Sequence, residues 1–462
     1  MIEYLNGPQR REVVRWLLLG VFALALAGLF AILLVLSRAP VTGDWFPWID
    51  FFRTALVVHV DQSVLIWFLA MAGVICSLTA ASGRLFGDIA FWLSLAGTLG
   101  IAGAAFVGEG APLMNNYIPV LQRPLFFVAL ALVGMGVVLR LVLLLPRLRP
   151  AAWFSPVSGE RQVVAFTVAV AVFGALLAII HTWIGMPPGL DGTAFYEYLF
   201  WGGGHLLQFA YTQMLLLAWL MLLRGSGTEI PFSPRLINGL LLLGLLPVLW
   251  ALVIYAQYDP VSAEMRVAFT RLMQFGGGIP AVPVGLLVLY ALFRGPALQG
   301  GAEQRPLRMA LWFSLLLFGA GGILAILISG VNTVIPAHYH GSIVGVTLAL
   351  MGLAYLLLPA LGYEAVEGRL ATLQPILYGS GQLLHIGGLA LSGFMGIQRK
   401  TAGAAQGLES IPAKLAMGIM GIGGLLAVLG GILFVWIMLL AFYRGRRPVA
   451  DQAPSTGKNS TR

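Results

Sequence analysis

The sequence predicts an all-α polytopic membrane protein with twelve transmembrane helices. Of its 462 residues, 59% are hydrophobic and only 10% are charged, and the mean hydropathy is +0.91. Apolar runs of twenty or more residues recur along the chain, and each is long enough to cross a hydrocarbon core about 30 Å thick. This composition excludes a soluble globular protein.

Breaks in charge, proline and glycine separate the apolar sequence into twelve spans. We predict them near residues 14–36, 54–80, 88–108, 124–146, 162–183, 197–223, 236–256, 267–293, 308–330, 335–360, 371–396 and 415–442. Residues 1–447 then form one membrane domain. The polar tail, residues 448–462, is predicted to be disordered and cytoplasmic because it carries Pro, Ser, Thr and Asn and few apolar residues.

The arginines predict the orientation, since loops retained in the cytoplasm carry the excess of Lys and Arg. They cluster before the first span and after the fourth, sixth, eighth and twelfth spans. Both termini are therefore predicted to be cytoplasmic, in a bacterial-type inner membrane, with the odd-numbered loops outside. The net charge of +9 follows from this asymmetry and does not require nucleic acid as a partner. Arg399 and Lys400 break the rule, because they lie in an outer loop.

The tripeptide His338-Tyr339-His340 opens the tenth span. A helix turns about 100° per residue, so side chains two residues apart point to opposite faces. The two imidazoles are therefore suited to two separate metal centres, one on each side of the helix. The alternative interpretation is that one or both histidines lie at a membrane boundary by chance.

The predicted topology places five of the six histidines in the outer third of the membrane. They are His59, His181, His205, His338 and His340. Ionisable groups at such depth usually have a partner or a function, and imidazole is the commonest side-chain metal ligand. His385, midway through the eleventh span, departs from this depth, and both it and His181 are interpreted as structural.

Segments in five parts of the chain resemble, in order, motifs of the catalytic subunit of the haem-copper oxidase superfamily, which includes cytochrome c oxidases and nitric oxide reductases. Gly319–Pro359, with Ala337-His338-Tyr339-His340, is similar to the tenth span of that subunit. The other matches are Trp201-Gly202-Gly203-Gly204-His205 in the sixth span, His59 after Arg53-Thr54 in the second, Ala281-Val282-Pro283-Val284-Gly285 in the eighth, and Gly396-Ile397-Gln398-Arg399-Lys400 after the eleventh.

The resemblance implies two haems and a second metal, normally copper. His59 and His340 would be the axial ligands of a low-spin haem, and His338 the proximal ligand of a high-spin haem on the other face of the tenth helix. His205 matches the sixth-span ligand of the second metal. The pair Arg399 and Lys400 would neutralise haem propionates on the outer side.

The resemblance also implies a respiratory-type oxidoreductase, either a terminal oxidase or a nitric oxide reductase-like enzyme. Electrons would pass from an outer donor, an electron-donor subunit or a cytochrome c-like protein, through the low-spin haem to the high-spin haem. There a small gas, O₂ or NO, would be bound and reduced. A separate donor is implied because Cys76 is the only cysteine, which excludes a Cys-x-x-Cys-His haem c site in this chain.

The sequence departs from the family pattern at the second metal. Aligning the family's Trp-Ala-His-His with Tyr255-Ala256-Gln257-Tyr258 puts an amide and a phenol where two histidines are expected. One imidazole, one amide and one phenol are a poor ligand set for copper. A degraded site, another metal held by His205, and an open distal pocket all remain possible.

We predict that the catalytic residues are His338, His205 and Tyr258, with Tyr211 and Tyr255 as alternative phenols. The tyrosine found in oxidases four residues after the sixth-span histidine is replaced by Phe209, and the nitric oxide reductase glutamate is absent from that place. Lysine occurs only at positions 400, 414 and 458, so a proton channel that depends on a lysine in the eighth span is excluded. Proton pumping is not expected.

Two other functions are compatible with the sequence. Twelve spans with glycine-rich helices such as Gly276-Gly277-Gly278-Ile279-Pro280 also occur in secondary transporters, where broken helices line substrate sites. The shared depth of the histidines and the scarcity of buried charge argue against a transporter. The other alternative is a haem-bearing relative that no longer turns over.

Overall fold

A computed structural model describes residues 5–37, 50–155, 158–294, 301–399 and 410–445. Within these ranges, twelve long helical segments follow one another along the chain and confirm the twelve-helix fold. They are α1 (Gly7–Leu36), α2 (Phe51–Thr79), α3 (Arg84–Gly103), α4 (Pro124–Leu144), α5 (Ser158–Ile184), α6 (Gly192–Gly225), α7 (Pro234–Gln257), α8 (Ala263–Arg294), α9 (Gln304–Ile326), α10 (Val334–Ala360), α11 (Arg369–Phe394) and α12 (Ile411–Tyr443). The predicted tail 448–462 lies outside the described residues.

Eleven of the segments are long and apolar enough to cross a membrane. The remaining segment, α11, has 26 residues and so spans about 39 Å at 1.5 Å per residue. Its hydropathy is lowered by glutamines, glycines and His385.

The third and ninth predicted spans, 88–108 and 308–330, extend past the observed helix ends at Gly103 and Ile326. After α3, the guanidinium of Arg123 donates to the carbonyl oxygens of Ala104 at 2.5 Å and Ala105 at 3.0 Å. The side chain therefore satisfies carbonyls at the end of the helix, where they have no partner within the helix itself. Hydropathy does not detect such an ending because the residues beyond it are still apolar.

Three segments are interrupted. A π-helical turn at Asp61–Ile66 lies within α2, α7 breaks between Leu242 and Leu245, and α8 breaks at Gly277. The break in α8 has a local cause. Glycine is a poor helix former, and Pro280 has no N–H with which to continue the hydrogen-bond ladder.

The most deeply buried spans are α2, α6 and α10, which therefore form the centre of the bundle. They carry His59, His205 and the pair His338 and His340. The histidines singled out from the sequence thus lie on the central helices.

Glycines allow two helix pairs to pack with their backbones in contact. Between α9 and α10, a Cβ on Gly341 would lie 2.8 Å from the Cα of Gly321. Between α11 and α12, a Cβ on Gly423 would lie 2.3 Å from the backbone nitrogen of His385, and one on Gly388 would lie 2.4 Å from that of Met420. Small residues permit this approach between transmembrane helices.

A short hairpin joins α3 to α4. Its strands, β1 (Pro112–Leu113) and β2 (Val120–Leu121), are antiparallel, with Pro112 opposite Leu121 and Leu113 opposite Val120. We call the end of the bundle that carries loops 104–123, 185–191, 327–333 and 395–399 the site end.

At the opposite end, an ion pair joins α5 to α6. Arg224 donates from both terminal nitrogens to the two carboxylate oxygens of Glu160, at 2.6 Å and 2.5 Å. The Glu160 side chain is only 2% exposed. Two parallel charge-assisted hydrogen bonds fix the relative position of the two helices.

We predict that Arg224→Ala lowers the free energy of unfolding by about 3 kcal/mol, because it leaves the Glu160 carboxylate buried and unpaired. Chemical denaturation of the purified protein in detergent measures this. The control is Arg444→Ala, which removes an ion pair to Glu364 at 3.8 Å in which both side chains are exposed. That change should cost less than about 1 kcal/mol, and equal losses for the two variants would contradict the prediction.

Candidate haem site

A cavity of about 1940 Å³ extends from the site end into the bundle. Ordinary small-molecule pockets occupy roughly 300–1,000 Å³, so this one has room for a much larger group. Five of the six histidines line it, namely His59, His205, His338, His340 and His385. The four histidines to which the sequence assigned ligand roles are therefore brought together, and His385 joins them.

Backbone carbonyls fix the orientation of two of these imidazoles. His338 Nδ1 lies 2.7 Å from the carbonyl oxygen of Gly321 on α9, and His59 Nδ1 lies 2.9 Å from that of Ala27 on α1. A carbonyl oxygen only accepts, so Nδ1 carries the proton in both rings. Their Nε2 atoms therefore keep a free lone pair, which is the arrangement expected of a metal-binding histidine.

His338 and His340 lie on two sides of α10, as predicted from the turn of about 200° between side chains two residues apart in a helix. His338 bonds to α9. His340 instead lies with its ring centroid 5.0 Å from that of His385 on α11, and both His385 and His59 lie near enough that a charge on either ring would act on it. His59 and His340 therefore belong to one side of α10, and His338 belongs to the other.

These residues fit haem. The cavity is large, its wall is mostly apolar, and imidazole nitrogens line it on both sides of α10. His59 and His340 would bind a haem iron on one side, and His338 would bind one on the other.

His205 lies in a different environment, because both of its ring nitrogens are engaged. Nδ1 donates to the carbonyl oxygen of Trp201, 2.6 Å away, so Nε2 accepts from the hydroxyl of Tyr117 at 2.8 Å. The Tyr117 ring packs against the imidazole with centroids 4.7 Å apart. Burial, and then the carboxylate of Glu197, raise the pKa of the Tyr117 phenol well above its ordinary value, so the hydroxyl keeps its proton.

The glycines of Trp201-Gly202-Gly203-Gly204-His205 make room for this arrangement. A Cβ on Gly204 would lie 2.2 Å from Cγ of Tyr117, and a Cβ on Gly202 would lie 2.1 Å from the hydroxyl oxygen of Tyr255. The motif therefore lets two tyrosine rings contact the α6 backbone.

The residues around His205 do not fit a copper ion. Gln257 ends α7, Tyr258 follows it with 37% of its surface exposed, and neither lines the cavity. Within the described part of the chain, no group of three or more His, Cys, Asp or Glu side chains could hold a metal ion. His205 is the imidazole on this wall, and its Nε2 lone pair already accepts a hydrogen bond from Tyr117.

The other tyrosines considered from the sequence also lie outside the cavity. Tyr211 is buried against Phe68, with ring centroids 4.4 Å apart. Tyr255 bonds to the hydroxyl of Thr182 at 3.2 Å and contacts the ring of His181. None of the three tyrosines considered as catalytic phenols, Tyr211, Tyr255 and Tyr258, therefore lines the cavity, whereas Tyr117 does.

A family model for "Cytochrome C and Quinol oxidase polypeptide I" matches residues 11–429, nearly the whole chain. The chain belongs to this family, the subunit I polypeptides of haem-copper oxidases.

The chain is also similar to two other proteins and to a solved structure. The chain is 32% identical to an uncharacterized protein of Rickettsia prowazekii (strain Madrid E) over 91% of this chain and 94% of that protein. It is 29% identical to an uncharacterized protein of Aquifex aeolicus (strain VF5) over 77% of this chain and 86% of that one. A cryo-EM structure of a heme-copper terminal oxidase dimer superposes with a TM-score of 0.61 at 17% identity, covering 95% of this chain and 84% of that chain. At that identity the superposition supports the fold alone.

In this subunit I polypeptide, a polar network covers the cavity at the site end. Arg399 donates to the side-chain oxygen of Asn116 at 3.0 Å, and the backbone and side-chain nitrogens of Asn116 both donate to Glu197. Arg266 pairs with Glu197 at 3.8 Å and stacks over Trp201 at 4.6 Å. Arg399 and Arg266 both line the cavity, whereas Lys400 lies outside the described residues.

Neutral polar side chains line the same wall as His205. Gln208 and Thr212 follow it on α6 at intervals of three and four residues, so they share one helix face, and α8 adds Thr270 and Gln274. This wall can donate and accept hydrogen bonds but adds no further imidazole or carboxylate.

The sequence analysis did not assign Tyr117, Arg266 or His385 to the site. Tyr117 lies in a loop, and no motif points to it or to Arg266. His385 was interpreted as structural; it lies nine residues before the end of α11 at Phe394, about 14 Å at 1.5 Å per residue. His340 lies six residues after the start of α10, so the two reach similar depths from the site end. His181 is exposed and does not line the cavity.

We predict that Gly204→Ala displaces the Tyr117 ring and lowers the free energy of unfolding by about 1–3 kcal/mol, the usual effect of overpacking. The matched control is Gly134→Ala on α4, where a Cβ meets nothing within 4 Å and where alanine should be neutral or slightly stabilising. Thermal and chemical unfolding in detergent compare the two. A Gly204→Ala protein as stable as the control would show that the ring position is not fixed by this glycine.

Proposed function

We propose that this protein is a two-haem oxidoreductase of a bacterial-type cytoplasmic membrane that reduces a small diatomic gas, O₂ or NO. The observation that carries the proposal is the placement of imidazoles on both sides of α10 within one cavity. Bound haem would supply electron transfer on one side and gas binding and reduction on the other. The membership of the haem-copper oxidase family supports an oxidoreductase.

The two sides differ in how many imidazoles they offer. His59 and His340 approach one site from α2 and α10 and would hold a haem iron there between two imidazoles, so a haem on this side would supply electron transfer alone. On the other side, His338, held by the Gly321 carbonyl, is the only histidine assigned to the haem, which would supply gas binding there.

We infer that the site end faces away from the cytoplasm, because the arginine clusters flank the opposite loops and both termini. An electron donor, either a partner subunit or a cytochrome c-like protein, would then approach the site end. Arg399 and Arg266 line the cavity there and would neutralise haem propionates, a role for which the sequence also proposed Lys400.

On the gas-binding side, we propose that Tyr117 and His205 act without copper. Tyr117 keeps its proton because burial raises its pKa, and it lines the cavity together with His205. The phenol therefore keeps its hydrogen at the pocket wall, where it donates to His205, and it would donate that hydrogen to a reduced substrate in place of His205. In this role Tyr117 replaces Tyr258, the phenol suggested by the sequence.

The first test is a reduced-minus-oxidised optical spectrum with metal analysis of the purified protein. We expect two haems, one low-spin and one high-spin, and no stoichiometric copper. His59→Ala should remove the low-spin signal and leave the high-spin haem, whereas His338→Ala should do the reverse. His181→Ala is the matched control, because this exposed histidine should leave both signals intact. A protein without haem, or with one copper per chain, would refute this proposal.

The second test concerns turnover. We predict that Tyr117→Phe lowers kcat with either O₂ or NO by about 10²-fold, within the range for loss of a general acid, while haem content is unchanged. The raised pKa of Tyr117 lies above the ordinary tyrosine value of 10.0. Deprotonation of Tyr117 should therefore not lower the wild-type rate at any pH below about 10. Tyr258→Phe is the control and should retain wild-type kcat. An unchanged rate in Tyr117→Phe would show that the phenol is not the donor.

A further inference from the structure

His385 is the histidine of the cavity to which the sequence assigned no function. It lies on α11, lines the cavity, and contacts the ring of His340 with centroids 5.0 Å apart and ring planes inclined by 67°. Its position is fixed by the contact between α11 and α12, where Gly423 leaves no room for a Cβ against the His385 backbone. A third imidazole is therefore held beside the proposed low-spin haem site.

The hydrogen bond on the far side of the ring determines what His385 can do. Its Nδ1 lies 2.9 Å from the carbonyl oxygen of Met420 on α12. Because a carbonyl oxygen only accepts, Nδ1 carries the proton and Nε2 of the neutral ring has a lone pair. His385 is therefore an acceptor towards the cavity.

His340 is the ring that lacks such an anchor. His59 and His338 each donate Nδ1–H to a backbone carbonyl, whereas among the described residues no backbone carbonyl accepts from His340. A metal-binding histidine almost always donates its second ring N–H to an acceptor, which fixes the ring and raises its basicity. The polar ring in contact with His340 on α11 is that of His385.

We propose that His385 accepts a hydrogen bond from the ring nitrogen of His340 that does not bind iron, and so acts as a positioning residue for the low-spin haem. The inference rests on the proposed function, which makes His340 an axial ligand. Two imidazoles joined by one N–H···N hydrogen bond of about 2.9 Å have centroids about 5 Å apart. The two rings meet edge to face with centroids 5.0 Å apart, so a rotation of the rings at this separation would form the proposed bond.

The chain of donors then runs in one direction, from His340 to His385 to the Met420 carbonyl. The last acceptor is a backbone atom of α12, so the orientation of the ligand depends on the close packing of α11 against α12. Partial transfer of the His340 proton towards His385 makes His340 a stronger electron donor. A stronger donor favours oxidised iron and lowers the reduction potential of the haem.

The rest of α11 is consistent with a helix that faces the haem. Tyr378, Gln382 and His385 recur at intervals of four and three residues and all line the cavity. The side-chain oxygen of Gln382 is buried without a hydrogen-bond partner. Leu384 lies on the same helix, is 43% exposed and does not line the cavity, so it offers a control substitution away from the haem.

The test compares His385→Ala, His385→Gln and Leu384→Ala with wild type by redox titration and low-temperature EPR of the low-spin haem. We expect His385→Ala to keep a low-spin haem whose reduction potential is shifted upward and whose EPR signal moves towards that of unperturbed bis-imidazole haem. His385→Gln retains an acceptor oxygen and should shift less. Leu384→Ala should leave both readouts near the wild-type values.

Two results would overturn the inference. An unchanged potential and EPR signal in His385→Ala would make His385 a packing residue, and conversion of the haem to high spin would make it an axial ligand. If wild type itself showed no low-spin haem, the proposed function would fail instead. Because His385→Gln keeps the size and polarity of the site, its spectrum decides the question even where His385→Ala does not fold.

Discussion

One constraint governs the cavity. The N–H of a buried imidazole needs a hydrogen-bond acceptor, while the other ring nitrogen must stay free to bind a metal. In His59, His338 and His385 a backbone carbonyl of a neighbouring helix accepts from Nδ1. A carbonyl of a transmembrane helix reaches a side chain on the next helix only when the backbones lie close together. The glycines at Gly321 and Gly341 provide this contact between α9 and α10. Helix packing and ligand orientation are therefore one feature of the fold.

The same constraint explains the other side of the cavity. His205 donates Nδ1–H within its own helix, so its Nε2 lone pair would be buried without a partner unless a metal or a donor meets it. A buried polar atom without a partner costs about 1–3 kcal/mol. Tyr117 supplies the donor, and Gly204 supplies the space for its ring. The hairpin loop thus compensates for the seventh-span histidines that this chain lacks.

The membrane fold was predictable from the sequence because hydropathy reports directly on the bilayer. The placement of His338 and His340 on two sides of α10 was predictable because helix geometry alone decides it. The role of Tyr117 was not, since it depends on a loop that folds over α6 and leaves no periodic signal. The contact between His385 and His340 was not predictable either, because it depends on how α11 packs against α10. Helix ends that depend on side chains outside the helix, such as that of Arg123, were missed because hydropathy does not report them.

The two sides of α10 place opposite demands on the chain. On the side of His340, His59 and His385 also lie nearby, so three imidazoles are present where one haem iron would bind two. The third imidazole can either bond to one of the other two or compete with it for the iron. The tautomer that the Met420 carbonyl imposes on His385 makes it an acceptor, which fits the first of these roles. The cavity wall that carries His205 offers amides and hydroxyls such as Gln208, Thr212 and Gln274. These groups hydrogen-bond a small polar molecule but bind copper poorly. The side that we propose for electron transfer is therefore rich in imidazoles, whereas the side that we propose for gas binding offers mainly amides and hydroxyls.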